Sequence, residues 1–143
     1  MWLGCPRQTL NDFSNGLNAV VHHLLGVTQA RQALITMGKQ GLVAFDQCVP
    51  TQAGEAWERR LRSAYLPSLV GNVIDSLGCG DALLSVASAT LAAGGSLHSA
   101  AYLGSIAAAM EAEQLGNIPV NIDGIMGRLN DSVAAAQPAR LAS

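Results

Sequence analysis

Apolar residues at positions 10, 13, 17, 20, 21, 24 and 25 recur at spacings of three and four. That period marks one face of a helix over residues 10–25, with Gly26 as its end. The short apolar runs Ala33-Leu34-Ile35 and Leu42-Val43-Ala44-Phe45 flank Gly38 and Gly41, which predicts a strand, a glycine turn and a second strand in a hairpin-like unit. Trp57, Leu61 and Tyr65 fall four apart and predict a helix over 55–65 that Pro67 stops. Val73-Ile74 reads as a strand leading into a small-residue turn. Residues 82–93 are apolar on nearly every face, as in a helix buried against a sheet and other helices. Gly94-Gly95 ends it, Ser96 is a candidate N-cap, and an Ala-rich helix with Gly104 follows over 97–113. Gly104 suits close helix packing, and Gly116 is the expected stop. A last helix is predicted over 122–133, with 134–143 as a frayed tail. The pattern is that of a mixed α/β protein without internal repeats.

Composition narrows the class. A chain of 143 residues with half of them hydrophobic is the size of one domain and can bury a sizeable core. The net charge of −2 with eight basic residues leaves no basic stripe, which argues against nucleic acid as a partner. Arg59, Arg60 and Arg62 form the one basic cluster and read as a solvated face. Cys5, Cys48 and Cys79 make an odd, widely spaced set with no metal-ligand pattern toward His22, His23 or His98, the usage of a reducing cytoplasm. Residues 1–5 are too short for a signal-peptide core and lack a basic flank. The apolar stretch 82–112 is broken by Gly94-Gly95 and His98, so its uninterrupted parts fall short of the roughly 20 residues of a membrane span. It reads as two buried helices, and no membrane partner is expected.

The chemistry concentrates in Asp75-Ser76-Leu77-Gly78-Cys79-Gly80-Asp81. A turn of small residues opening a helix presents unpaired N–H groups and the positive end of the helix dipole, which favour an anion such as phosphate. Asp81 would repel an anion, so its place there has two readings. It is either a carboxylate that satisfies the helix start or a general base that takes a proton from a hydroxyl attacking a phosphoryl group.

This segment resembles the second signature of the ribokinase/PfkB carbohydrate kinase family, D-T-x-G-A-G-D followed by a helix. Thr36-Met37-Gly38-Lys39-Gln40-Gly41 resembles the family's upstream T-x-G-x-x-G nucleotide loop, and Leu115-Gly116-Asn117-Ile118-Pro119-Val120 resembles the stretch that closes the nucleotide pocket. The likeness spans residues 30–120, and residues 82–120 look closest to the heptose-kinase or fructokinase-like branch. It implies an α/β, three-layer ribokinase-like fold of which this chain matches the C-terminal half. It also implies an enzyme that phosphorylates a sugar or sugar phosphate hydroxyl from ATP with Mg2+.

In that likeness Gly78, Cys79, Gly80 and Asp81 match the anion hole for the transferred phosphoryl group, and Asp81 matches the catalytic base. Thr36, Gly38, Gly41, Gly116 and Asn117 match nucleotide-binding positions. Asp75 matches a position that helps bind a monovalent cation such as K+, and a strand-end turn former is its plain alternative. Lys39 reads as an exposed turn lysine, and a helix stop explains Gly116 equally well. Cys79 stands where the family usually has Ala, and Leu77 replaces a smaller or polar residue. The family's N-x-x-E tetrad, which organises magnesium and phosphate, does not occur in this sequence. The expectation is therefore a chain that carries the ATP site and base but has little turnover by itself, and whose uncovered sheet edge favours a homodimer. The rival reading is a non-catalytic nucleotide-binding or partner-completing module.

Overall fold

The computed structural model describes residues 7–47, 61–116 and 118–136, with side chains from residue 16 to residue 134 of these. The order of elements is helix α1 (Arg7–Thr28), strands β1 (Gln32–Thr36), β2 (Leu42–Gln47) and β3 (Leu61–Leu66), then helices α2 (Cys79–Ala92), α3 (Leu97–Ala112) and α4 (Ile122–Ala136). They gather into two compact units, one built on α1 and the bodies of the strands, the other on the 36–42 turn and everything from Tyr65 onward.

In the first unit α1 lies on the sheet, which has the order β1-β2-β3. Residues 31 and 47 pair at one end of β1 and β2, and residues 37 and 41 at the other, so the two strands run antiparallel, as the glycine-turn pattern predicts. Val21, Leu25 and Phe45 form the buried centre, with Leu17, Ala33, Ile35, Val43 and Leu61 packed around them. The buried stripe of α1 is thus 17, 21 and 25. Val20 and Leu24, expected on that face, are exposed, because one helix on one sheet covers only a narrow arc of its surface. Gly26 does not end α1. The helix runs to Thr28, where Gln29 adopts a left-handed φ of 54° and donates from its side-chain amide to the Gly26 carbonyl.

Residues 61–65 were expected to be helical and are strand β3 instead. An apolar residue every fourth position also suits a strand, because the strand period of two repeats at four, and the neighbouring strand β2 supplies backbone partners that a lone helix lacks. The remainder of the predicted 55–65 helix, with Trp57, Arg59 and Arg60, lies outside the described residues.

In the second unit α3 packs against α2 on one side and α4 on the other. Small residues set the α2–α3 separation. A Cβ placed on Gly104 would stand 3.0 Å from the Leu83 carbonyl oxygen and 3.4 Å from the Ala87 Cβ. Ala100, Ala101 and Ala107 are buried on the same helix. Ser96 caps α3 by accepting from the Ser99 N–H at 3.1 Å, as predicted. Gly94, with φ of 83°, ends α2 as expected. Ile106, Met110 and Ile125 centre the core on the α4 side, with the Met110 methyl lying over Gly124.

Three expectations change here. Helix α2 is not buried all round: Ala87 alone is fully buried, and Leu84 is 64% exposed, because the described chain covers α2 chiefly with α3. Helix α3 stops at Ala112 rather than at Gly116, which forms a separate left-handed turn with φ of 84°. Helix α4 extends to Ala136, into the stretch expected to fray. Among the described residues no helix is long and apolar enough to cross a membrane, in line with reading 82–112 as two helices.

Glu113, just beyond α3, joins this unit's parts. Its carboxylate accepts from Arg128 of α4 and from the Gly71 N–H at 2.7 Å. The Arg128 hydrogen bond, helped by the Gly71 N–H and outweighing partial burial, holds the Glu113 carboxyl below the usual carboxylate range.

Two outcomes follow from this packing. Gly104→Leu should overpack the α2–α3 contact and lower stability by about 1–3 kcal/mol, measured by urea unfolding. Glu113 contributes stability that is fully present above the ordinary Glu pKa of about 4.3 and is lost as pH falls through its lower folded value. Thermal melts across that acid range should show a weaker pH dependence in Glu113→Gln than in the parent chain, and identical slopes would remove Glu113 as a contributor.

Candidate functional site

The turn that opens α2 is fastened to the end of α3. Residues 71–76 carry no regular structure, so Val73-Ile74 is not the strand expected from its composition. The N–H groups of Ile74 and Asp75 converge instead on the carbonyl of Ala112, at 2.7 and 3.1 Å. A helix-end carbonyl without an intrahelical partner takes the place of a neighbouring strand. Asp75 then accepts from the Leu77 N–H at 3.0 Å, a side-chain-closed turn. Of its two sequence readings, turn formation is the one this geometry displays.

Gly78 follows as the N-cap of α2 with φ of 83° and ψ of −15°, a left-handed conformation that a Cβ disfavours. No side chain caps this helix start, so its first N–H groups are left to a ligand or solvent. Gly80 is different: it is helical, and an added Cβ would meet nothing within 4 Å. Smallness at 78 serves the backbone, whereas at 80 it leaves open space over the helix start.

Cys79 is half-buried, its Sγ donating to the Asp75 carbonyl at 3.9 Å. Burial pushes the thiol pKa up, and the nearby charges of Glu111 and Asp75 add to this against a lowering backbone hydrogen bond. A thiol so held stays protonated near neutral pH, the state of a packing residue rather than of a nucleophile.

Asp81, in the first turn of α2, is exposed and lines a cavity of about 310 Å3. Gly78, Ser85, Glu111, Pro119 and Val120 share that lining. Asp81 and Ser85 stand one helical turn apart on the same face. Glu111 enters from the last turn of α3 and is 2% exposed, and its Oε1 has no hydrogen-bond partner among the described residues. Pattern reading passed over Glu111. The one signal was a charged residue directly after the apolar run Ile106-Ala107-Ala108-Ala109-Met110.

The upstream loop is a separate, tightly shaped feature. Thr36 ends β1, the Met37 N–H donates to the Gly41 carbonyl at 2.8 Å, and the Gly41 N–H donates to the Gly38 carbonyl at 3.0 Å. Gly38 and Gly41 have φ of 56° and 96°. A Cβ on Gly41 would overlap the Leu66 carbonyl, so this position admits only glycine. The Tyr65 hydroxyl donates to the Gln40 carbonyl at 2.6 Å and holds the loop from β3. Lys39 is exposed, as expected of a turn lysine. Among the described residues, Thr36, Gly38 and Gly41 do not line the cavity at Asp81, and neither does Gly116; Asn117 lies outside the described residues.

Comparison with known proteins bears on family and fold. Residues 8–123 match the pfkB family carbohydrate kinase model. The chain is 30% identical over 103 residues to the bifunctional protein HldE of Methylobacillus flagellatus, covering 72% of this chain and 18% of that protein. A crystal structure of a probable sugar kinase protein from Rhizobium etli superposes with a TM-score of 0.59 at 21% identity, over 85% of this chain and 31% of that one. This chain thus spans less than a third of the length of either relative. The superposition supports the α/β, ribokinase-like fold, and the match over residues 8–123 decides the family: the chain belongs to the pfkB family of carbohydrate kinases.

Proposed function

We propose that this chain carries the nucleotide-phosphate site and general base of a kinase that transfers the γ-phosphoryl group of ATP to a hydroxyl of a sugar or sugar phosphate. The observation that supports it most is the uncapped start of α2. Left-handed Gly78 leaves the helix start without a side-chain cap, open space lies over Gly80, and Asp81 sits in the same turn at the edge of a cavity.

That start fits a phosphate group, because oriented N–H donors at a helix N-terminus stabilise negative charge without reorganising. Bound Mg-ATP would supply the phosphoryl group and the charge neutralisation that transfer requires. Gly78, Cys79, Gly80 and Asp81 would hold developing charge with backbone N–H groups. The Asp81 carboxylate would accept the proton of the attacking hydroxyl. Thr36, Gly38 and Gly41 would run along the nucleotide phosphates, with Gly116 and Asn117 closing the nucleotide pocket. Among the described residues no three His, Cys, Asp or Glu side chains form a metal-binding group, so magnesium would arrive bound to the nucleotide.

The positions that select the sugar would lie in a longer protein of which this chain is the nucleotide-binding part, and turnover by this chain alone should be negligible, since a base without a positioned hydroxyl loses the proximity that makes transfer fast. The likeness of residues 82–120 to the heptose-kinase or fructokinase-like branch favours a heptose- or fructose-type sugar as that protein's substrate. A nucleotide-binding module without turnover is the second reading.

Calorimetric titration with Mg-ATP tests the site. The parent chain should bind, and Gly80→Val should weaken binding by roughly tenfold or more, equivalent to about 1.4 kcal/mol. Its added side chain meets no protein atom within 4 Å at Cβ, so the loss would report the ligand and not the fold. Equal affinity in both proteins would move the nucleotide elsewhere. In the longer protein, Asp81→Asn should cut kcat by about 10²–10⁴ while leaving ATP affinity nearly unchanged. An unchanged kcat would take the role of base away from Asp81.

A further inference from the structure

The loop over residues 37–41 depends on a side chain from outside it. Within the loop, the Gln40 N–H donates to the Met37 carbonyl at 3.1 Å, the Gly41 N–H to the Gly38 carbonyl at 3.0 Å and the Met37 N–H to the Gly41 carbonyl at 2.8 Å. The Gln40 carbonyl is taken instead by the Tyr65 hydroxyl, which donates to it at 2.6 Å across 25 residues of sequence. That carbonyl and the Gly41 N–H belong to one planar peptide unit. Tyr65 thus grips the unit on one edge and the Gly38 carbonyl grips it on the other.

The grip matters because of the residue that follows. Gly41 has φ of 96° and ψ of −138°, a conformation open essentially to glycine alone. Glycine adopts positive and negative φ with similar ease, so residue 41 does not by itself keep the 40–41 peptide from turning over. Its orientation rests on the two hydrogen bonds and on the packing of Gly41 against the segment after β3, where a Cβ would stand 2.7 Å from the Pro67 carbonyl carbon and 2.7 Å from the Ser68 nitrogen. Tyr65 is 59% exposed and is not part of the clusters around Phe45 and Ile106, so core packing does not account for it. The segment that receives Gly41 runs on into the approach to α2, where Gly71 donates to Glu113 and where Ile74 and Asp75 donate to Ala112. The 37–41 loop and the turn at Gly78 therefore lean on one stretch of chain, residues 65–76.

We infer that Tyr65 is a positioning residue for the nucleotide: its hydroxyl fixes the 40–41 peptide, and with it the backbone that Gly38 and Gly41 would lay along the phosphates. This role rests on the nucleotide reading of the 36–41 loop. Tyr65 touches no reacting atom and acts through the shape of the loop.

The test is Tyr65→Phe, which removes the hydroxyl and keeps the ring, with circular dichroism to check that the exposed substitution leaves the chain folded. In the nucleotide-free chain, amide hydrogen exchange followed by NMR should be faster at Gly41 by about two- to tenfold, the loss of one hydrogen bond. Calorimetric titration should show Mg-ATP affinity lowered by a similar factor. In the longer protein, KM for ATP should rise by that factor while kcat and KM for the sugar stay unchanged, a split that a general loss of stability does not produce. Unchanged exchange at Gly41 would overturn the inference. So would faster exchange with Mg-ATP affinity equal to that of the parent chain, a result that leaves the nucleotide reading standing. No Mg-ATP binding by the parent chain would overturn the nucleotide reading and this role with it.

Discussion

The close approach of α2 and α3 is the constraint on which the candidate site depends. Gly104 admits the Leu83 backbone and the Ala87 methyl at distances that a larger side chain would not allow, and buried alanines continue the contact along α3. Two helices held this near each other gain dispersion contact along their whole shared length, and their ends are fixed with respect to each other. The end of α3 can therefore act as an anchor. Its last carbonyl takes two N–H groups from the segment leading into α2, and Glu113 just beyond it takes one from Gly71 and an ion pair from α4. The glycine turn at 78–81 is held in place by the far end of the next helix in the chain after its own.

That arrangement explains why a segment without regular structure can present a defined site. Residues 71–76 make no ladder, yet their polar groups are satisfied by a helix terminus and by the Asp75 side chain. Catalytic and binding groups work best when a rigid scaffold holds a short loop. Here the scaffold is the helix pair, and the loop delivers an uncapped helix start. The same anchor places Glu111 in the lining of the cavity that Asp81 borders.

Much of this was legible in the order of residues. Ser96 as a cap, Gly94 as a stop, Gly104 as a close contact and the hairpin at Gly38 and Gly41 each follow from local chemistry, and each is found in the structure. The seven-residue turn and its upstream partner loop were specific enough to indicate the family that the comparison shows. The failures share a cause. Residues 61–65 satisfy helical and strand periods alike, Val73-Ile74 looks like a strand until α3 supplies its hydrogen-bond partners, and the apolar surface of α2 says nothing about how much of it will be covered. In all three, the deciding partner lies far away in the chain.

The sequence by itself determined the features whose cause is local: a left-handed glycine, a helix cap, an acid in the first turn of a helix, and the motif that marks the pfkB family. Only the tertiary structure decided that Ala112 closes the approach to the turn, that Gly78 needs its glycine for the backbone while Gly80 leaves open space, and that Glu111 is buried beside Asp81 without a partner. The physical reason is range. Backbone dihedral preferences and helix-end hydrogen bonds act within a few residues, whereas burial, desolvation and the pairing of charges depend on which distant segments are brought against each other.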